Sequence, residues 1–164
     1  MREKLVKKIM LVLGILVLGV LAAGQLKADD NPYLGTWKLN VAKSKAENTT
    51  VAKSMTRTVT LAGAMVKYSF EGVAADGTPT SYSFTVAYDG KDYPVTGSGM
   101  PGGADTISIK RTGKMATAVL KKGGKEVGTS TSEVSADGKT TTLKASGKTP
   151  DGKMVTSVSV YDKQ

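Results

Sequence analysis

The chain has 164 residues, 23 Lys and Arg against 14 Asp and Glu, and neither His nor Cys. That length suits one domain and is short for two cores, and the missing His and Cys exclude Ser-His-Asp and Cys-His catalysis, the common zinc sites and any disulfide. The formal charge of +9 overstates the domain, because residues 1–28 hold five basic groups and one acid, leaving +5 on scattered lysines that form no nucleic-acid stripe.

The first segment, "MREKLVKK", is basic, and residues 9–23 are uncharged and apolar before "QLKA" and the turn-like "DDNPY". This is the pattern of a secretory signal peptide. The apolar run is shorter than the ~20 residues that span a bilayer. The chain therefore divides into a signal peptide, 1–28, and one domain, 29–164, secreted or periplasmic, with no membrane contact after cleavage. An uncleaved anchor is the rival reading. Cleavage after Ala28 leaves bulky Leu26 at the −3 position; cleavage after Gly24 puts Ala22 there. No cysteine is available for lipid attachment.

"NPYLGTWKLN", residues 31–40, carries the one tryptophan and opens a strand over 35–41. A single large aromatic on a first strand reads as a core anchor. "AKSKAENTTVAK", 42–53, lacks alternation and reads as a loop or a short helix, the place to which any helix of the domain is confined. From Met55 the pattern has period two. "MTRTVTLA" sets Met55, Arg57, Val59 and Leu61 against three threonines. "VKYSF" sets Val66, Tyr68 and Phe70 against Lys67 and Ser69. "TSYSFTVAY" sets Tyr82, Phe84, Val86 and Tyr88 against Ser81, Ser83 and Thr85. The glycine-rich "VTGSGMPGGAD", 95–105, precedes a strand and not a helix, so it reads as a connection and not a phosphate cradle. "TISIKR" sets Ile107, Ile109 and Arg111 against Thr106, Ser108 and Lys110. "MVTSVSVYD", 154–162, sets Val158 and Val160 opposite Ser157, Ser159 and Tyr161.

Alternation of this kind marks half-buried antiparallel strands. Asp-Gly at 76–77, 89–90, 137–138 and 151–152, and Gly123-Gly124, suit the positive dihedrals of tight hairpins. The spacing predicts an all-β domain: a single antiparallel up-and-down barrel of about 8–10 strands.

Gly35-Thr36-Trp37 resembles the Gly-x-Trp signature of lipocalins. The fuller "YLGTWKLN" and the closing "VSVYDKQ" are similar to the first and last strands of fatty-acid-binding proteins, members of the wider calycin group. "GTWKLNVAKSK" resembles a lipocalin-like family of secreted bacterial proteins. The resemblance is specific at the two ends and rests on strand pattern between them. It implies a tryptophan packed across the floor of a barrel. Two departures stand out. Tyr161 matches the tyrosine of the fatty-acid-binding site, but Ser159 stands where that family places its carboxylate-binding arginine, and residues 42–53 leave too little room for a helix-turn-helix lid. Fatty-acid binding does not carry over.

The acids of the Asp-Gly pairs are explained by turn chemistry; Asp105 and Glu133 are loose candidates for carboxylate catalysis. No enzyme, cofactor or metal is expected. Between residues 29 and 164 the arginines are Arg57 and Arg111, both on apolar strand faces. A guanidinium pointing into a barrel would clamp a carboxylate or phosphate. The alternative, which the sequence alone favours, is a strand-end arginine that keeps its head in water or pairs with a buried acid. Arg57, Arg111, Tyr68, Phe70, Tyr82 and Phe84 are the candidate ligand-binding residues, although the aromatics equally suit a plain core. Two functions follow: a carrier of a small hydrophobic or amphipathic ligand, or a non-catalytic envelope interaction protein with a filled core. Oligomeric state is left open.

Overall fold

The computed structural model describes residues 31–149 and 151–164. The expected signal peptide and both cleavage points lie outside the described residues. Eleven strands follow in chain order: β1 (Gly35–Leu39), β2 (Lys45–Glu47), β3 (Ser54–Ala62), β4 (Met65–Val73), β5 (Pro79–Val86), β6 (Asp89–Ser98), β7 (Thr106–Thr112), β8 (Met115–Lys122), β9 (Lys125–Val134), β10 (Thr140–Lys148) and β11 (Met154–Lys163). Each strand from β3 to β11 pairs antiparallel with the next, and β1 joins β3 to β11. The result is the closed, antiparallel, up-and-down barrel of ten strands that the alternation predicts. Closure leaves no long open edge.

The eleventh strand comes from the segment read as a loop or short helix. β1 and β2 pair with different stretches of the same strand: Leu39 lies opposite Tyr161, and Lys45 opposite Val158. They are one broken first strand. A 3-10 turn at Val41–Lys43 interrupts it, and polar side chains bridge the break. The Asn40 carboxamide donates to Asp162 Oδ2 at 2.7 Å, while Ser44 Oγ donates to Asn40 O at 2.7 Å and accepts from Val160 N at 3.0 Å. A second 3-10 turn, Pro101–Gly103, lies in the glycine-rich connection, outside the segment to which helix was confined. Pro101 favours that turn because its ring fixes φ near the helical value.

One end of the barrel carries the short turns near residues 63, 87, 113 and 137, and it is solid. Tyr33, Trp37, Val59, Val86, Val134 and Thr141 are its fully buried side chains. The Trp37 indole N–H donates to Tyr33 O at 2.7 Å. The Tyr33 hydroxyl reaches Lys114 O at 2.9 Å and Ser132 O at 2.8 Å and accepts from Ser132 Oγ. This end is a floor, with Trp37 in the place that the resemblance implies. Leu61 shares the parity of Arg57 and Val59 but is 42% exposed, because β3 and β4 run on past the floor to their turn at Gly63. Asp89-Gly90 is also not the centre of its hairpin. Tyr88 takes the positive φ of 58°, and the pairing with β7 slips between Asp89 and Asp92. The pair is therefore part of a bulge at the start of β6.

Candidate functional site: a cavity with a buried guanidinium

Cross-strand register sorts the inner wall into two unlike halves. Trp37, Arg57, Phe70, Tyr82 and Gly97 are successive partners across β1, β3, β4, β5 and β6. The next row toward the floor runs Gly35, Val59, Tyr68, Phe84 and Val95. Phe70 stacks on Tyr82 with ring centroids 4.7 Å apart, and Tyr68 on Phe84 at 5.1 Å. These pairs form an aromatic wall.

The opposite wall is built of small residues. One row runs Ala118, Ser130, Ala145 and Ser157; its neighbour runs Ala116, Ser132, Leu143 and Ser159. Bulky groups on one side and methyls and hydroxyls on the other cannot meet across the barrel. A cavity of about 530 Å³ is left between them, within the size range of small-molecule pockets. Its mouth is rimmed by Thr49–Ala52, Met55, Met100–Gly102, Val127 and Lys148–Thr149.

Of the six residues singled out in the sequence, Arg57, Tyr68, Phe70, Tyr82 and Phe84 line this cavity together. Arg111 does not. Its guanidinium lies 5.2 Å from the Tyr88 ring and donates through Nη1 to Gly113 O at 2.8 Å. It is a strand-end arginine held at the floor, as its position two residues before the β7–β8 turn dictates.

Arg57 is different. It is 3% exposed, so its head does not reach bulk water. Its guanidinium carbon lies 5.0 Å from the Tyr161 ring, 5.3 Å from Trp37 and 5.9 Å from Tyr33. Its Nε and Nη2 have no hydrogen-bond partner among the described residues. No ion pair among the described residues includes it, and no Asp or Glu lines the cavity. Burial lowers its pKa from the usual arginine value, with nearby tyrosines opposing the shift; a guanidinium nonetheless stays protonated in proteins.

Burial also pushes Tyr68, Tyr82 and Tyr161 above the ordinary phenol range, so each is a neutral hydroxyl at physiological pH. Tyr68 is paired with Tyr88. The hydroxyls of Tyr82 and Tyr161 make no hydrogen bond to a described residue and remain donors toward the cavity.

Tyr161, noted in the sequence only for its resemblance, and the residues of the small wall are not among the six candidates. The signal for that wall was the Ala, Ser and Gly parity of β8–β10, which looks like weak core until the register is known. Asp105 and Glu133 hold no catalytic arrangement: Asp105 accepts from Gly123 N at 2.8 Å across a turn, and Glu133 lies outside the cavity lining. No cluster of three or more Asp or Glu able to hold a metal ion occurs among the described residues.

No protein-family model matches the sequence, and no curated protein does. Solved structures do. Zebrafish ileal bile acid-binding protein, crystallised with cholic acid, superposes with a TM-score of 0.50 at 12% identity, over 82% of this chain and 100% of that one. Rv2717c from M. tuberculosis superposes with a TM-score of 0.50 at 17% identity, over 82% and 94%. At these identities the likeness is one of fold, and the fold is that of the calycin class.

Proposed function

We propose that this barrel is a secreted or periplasmic binding protein that carries one small hydrophobic or amphipathic molecule in its interior. The observation that carries the reading is the cavity of about 530 Å³, with stacked aromatics on one wall and small side chains on the other. Nothing in the packing of a purely structural barrel calls for such a space, since interiors pack to crystal density and voids cost stability. The similarity of fold to a barrel crystallised with cholic acid supports the same reading. An interaction protein with a filled core is the less favoured alternative, because it needs the cavity to be absent. Arg57, Tyr68, Phe70, Tyr82 and Phe84 contact the ligand in this proposal, joined by Tyr161; Arg111 supports the floor instead.

In this proposal the protein acts as a carrier. Its interior offers an acceptor-free cation and neutral hydroxyls, with no paired acid and base. Secretion rests on the basic and apolar start of the chain. Intact mass of the exported protein should place the new N-terminus near Asp29; a full-length, membrane-embedded product would contradict it.

The experiment for the carrier reading is a fluorescence titration with a neutral apolar dye such as Nile red. One saturable site per chain at micromolar concentration is expected. The absence of saturable binding would overturn the reading.

A further inference from the structure

We infer that the ligand is a monoanionic amphipath that enters head first and brings its single negative charge to Arg57. The inference rests on the carrier reading and deepens it. An arginine this deeply buried needs either an acid partner or a compensating ligand, since an unpaired interior charge is among the costliest arrangements a fold can carry. The described residues supply no acid: none lines the cavity, and Arg57 enters no ion pair. Rings of Tyr33, Trp37 and Tyr161 face the cation, which offsets part of the cost through cation–π attraction. They leave Nε and Nη2 without an acceptor among the described residues. A carboxylate or sulfonate that reaches the floor of the cavity meets the guanidinium, whose forked geometry favours such groups.

One guanidinium neutralises one charge. A dianionic head would leave a second negative charge in the same low-dielectric space, so the charge count selects a monoanion. Tyr161, whose ring lies 5.0 Å from the Arg57 guanidinium carbon, and Ser159 line the same cavity from β11. Orientation follows from depth. Arg57 is the register partner of Trp37 in the floor, whereas the rim carries Val51, Met55, Met100 and Val127 beside threonines and a solvated lysine, Lys148, whose charge is already balanced by water. The head therefore lies deep and the tail points out.

The test uses displacement of the neutral dye from the purified protein at pH 8 by decanoate, decanesulfonate, decanol and decyl phosphate. Decanoate and decanesulfonate should displace it at concentrations at least tenfold lower than decanol, and decyl phosphate, a dianion at this pH, should be weaker than both. If the dye binds and decanol competes as well as decanoate, the head-group inference fails while the carrier reading stands. If the dye does not bind at all, both fail. A second arm needs no mutation. In ¹⁵N spectra the Arg57 Nε–H resonance should move with decanoate and not with decanol, and that of Arg111 should stay fixed as an internal control. A fixed Arg57 signal, or equal movement of both, overturns the inference. Arg57→Met should weaken decanoate at least tenfold and leave decanol unchanged; should that variant fail to fold, the resonance measurement on the unaltered protein decides.

Discussion

Tyr33 and Trp37 are tied together locally, by the indole N–H to Tyr33 O bond four residues back. The Tyr33 hydroxyl then fastens this unit to the carbonyls of Lys114 and Ser132, 81 and 99 residues away. Removing that hydroxyl takes a donor from both carbonyls, while Lys114 O keeps its bond from Val134 N at 3.0 Å. Tyr33→Phe should lower stability by about 0.5–1.5 kcal/mol, measurable by urea denaturation with an unchanged slope. The anchor role of Trp37 was legible in the sequence, because one large aromatic on a first strand has few other uses. Parity put Arg57 on an apolar face, but the reading the sequence favours, a head in water or paired with a buried acid, does not hold for it. Its lack of an acid partner was not legible, because partners are set by register between strands far apart in sequence. Burial of Tyr33, Tyr68, Tyr82 and Tyr161 raises their pKa values, and the sign of the consequence is fixed. The unfolded chain ionises its phenols near pH ~10 and the folded barrel does so only above that. This share of stability is complete below pH ~10 and is lost as pH rises toward the folded values. Alkaline unfolding should therefore coincide with phenolate absorbance in one cooperative step; phenolate absorbance from all six tyrosines with the barrel intact would contradict it.

At the scale of strands, β11 runs against the parity rule in an instructive way. On β11 the apolar residues Val158 and Val160 look like the core face. Register puts Ser157, Ser159 and Tyr161 inside instead, opposite Ala145, Leu143 and Thr141. A cavity wall is lined by what is small, so the more apolar parity can be the outer one. The aromatic strands β4 and β5, which pack on each other, obeyed the rule. The wall makes its own prediction. Ala145→Phe adds a ring into empty space and not into packed atoms, so the fold should survive with its melting midpoint unchanged or raised, while dye affinity falls at least about tenfold. Loss of folding would show that the space is not open. Gly97 tests the other wall. Its φ is +98°, and a Cβ there would stand 2.1 Å from Ser81 O and 2.7 Å from Tyr82 Cα. No flexible side chain can yield at those contacts, so Gly97→Ala should cost about 1–3 kcal/mol in chemical denaturation, even though alanine is small.

For the whole molecule, closure and cavity pull in opposite directions. The broken first strand, β1 and β2, completes the ring against β11 and secures it through Asn40 and Ser44, without a disulfide. The empty interior removes packing that such a barrel would otherwise have. A ligand that fills it binds the folded state alone and should raise stability by about 2.7 kcal/mol at a hundred times its dissociation constant. The barrel, its approximate strand number and its floor were legible from alternation, turns and one tryptophan. The cavity was not, because volume is a property of facing walls that no single strand reveals. The central claim, one amphipathic acid held inside the barrel, is tested most directly by calorimetric titration of the protein with decanoate at several temperatures. The account predicts one site per chain and a negative heat-capacity change from apolar surface buried in the cavity. Unsaturable heats, or several weak equivalents per chain with no heat-capacity change, would place any bound acid on the surface and contradict it.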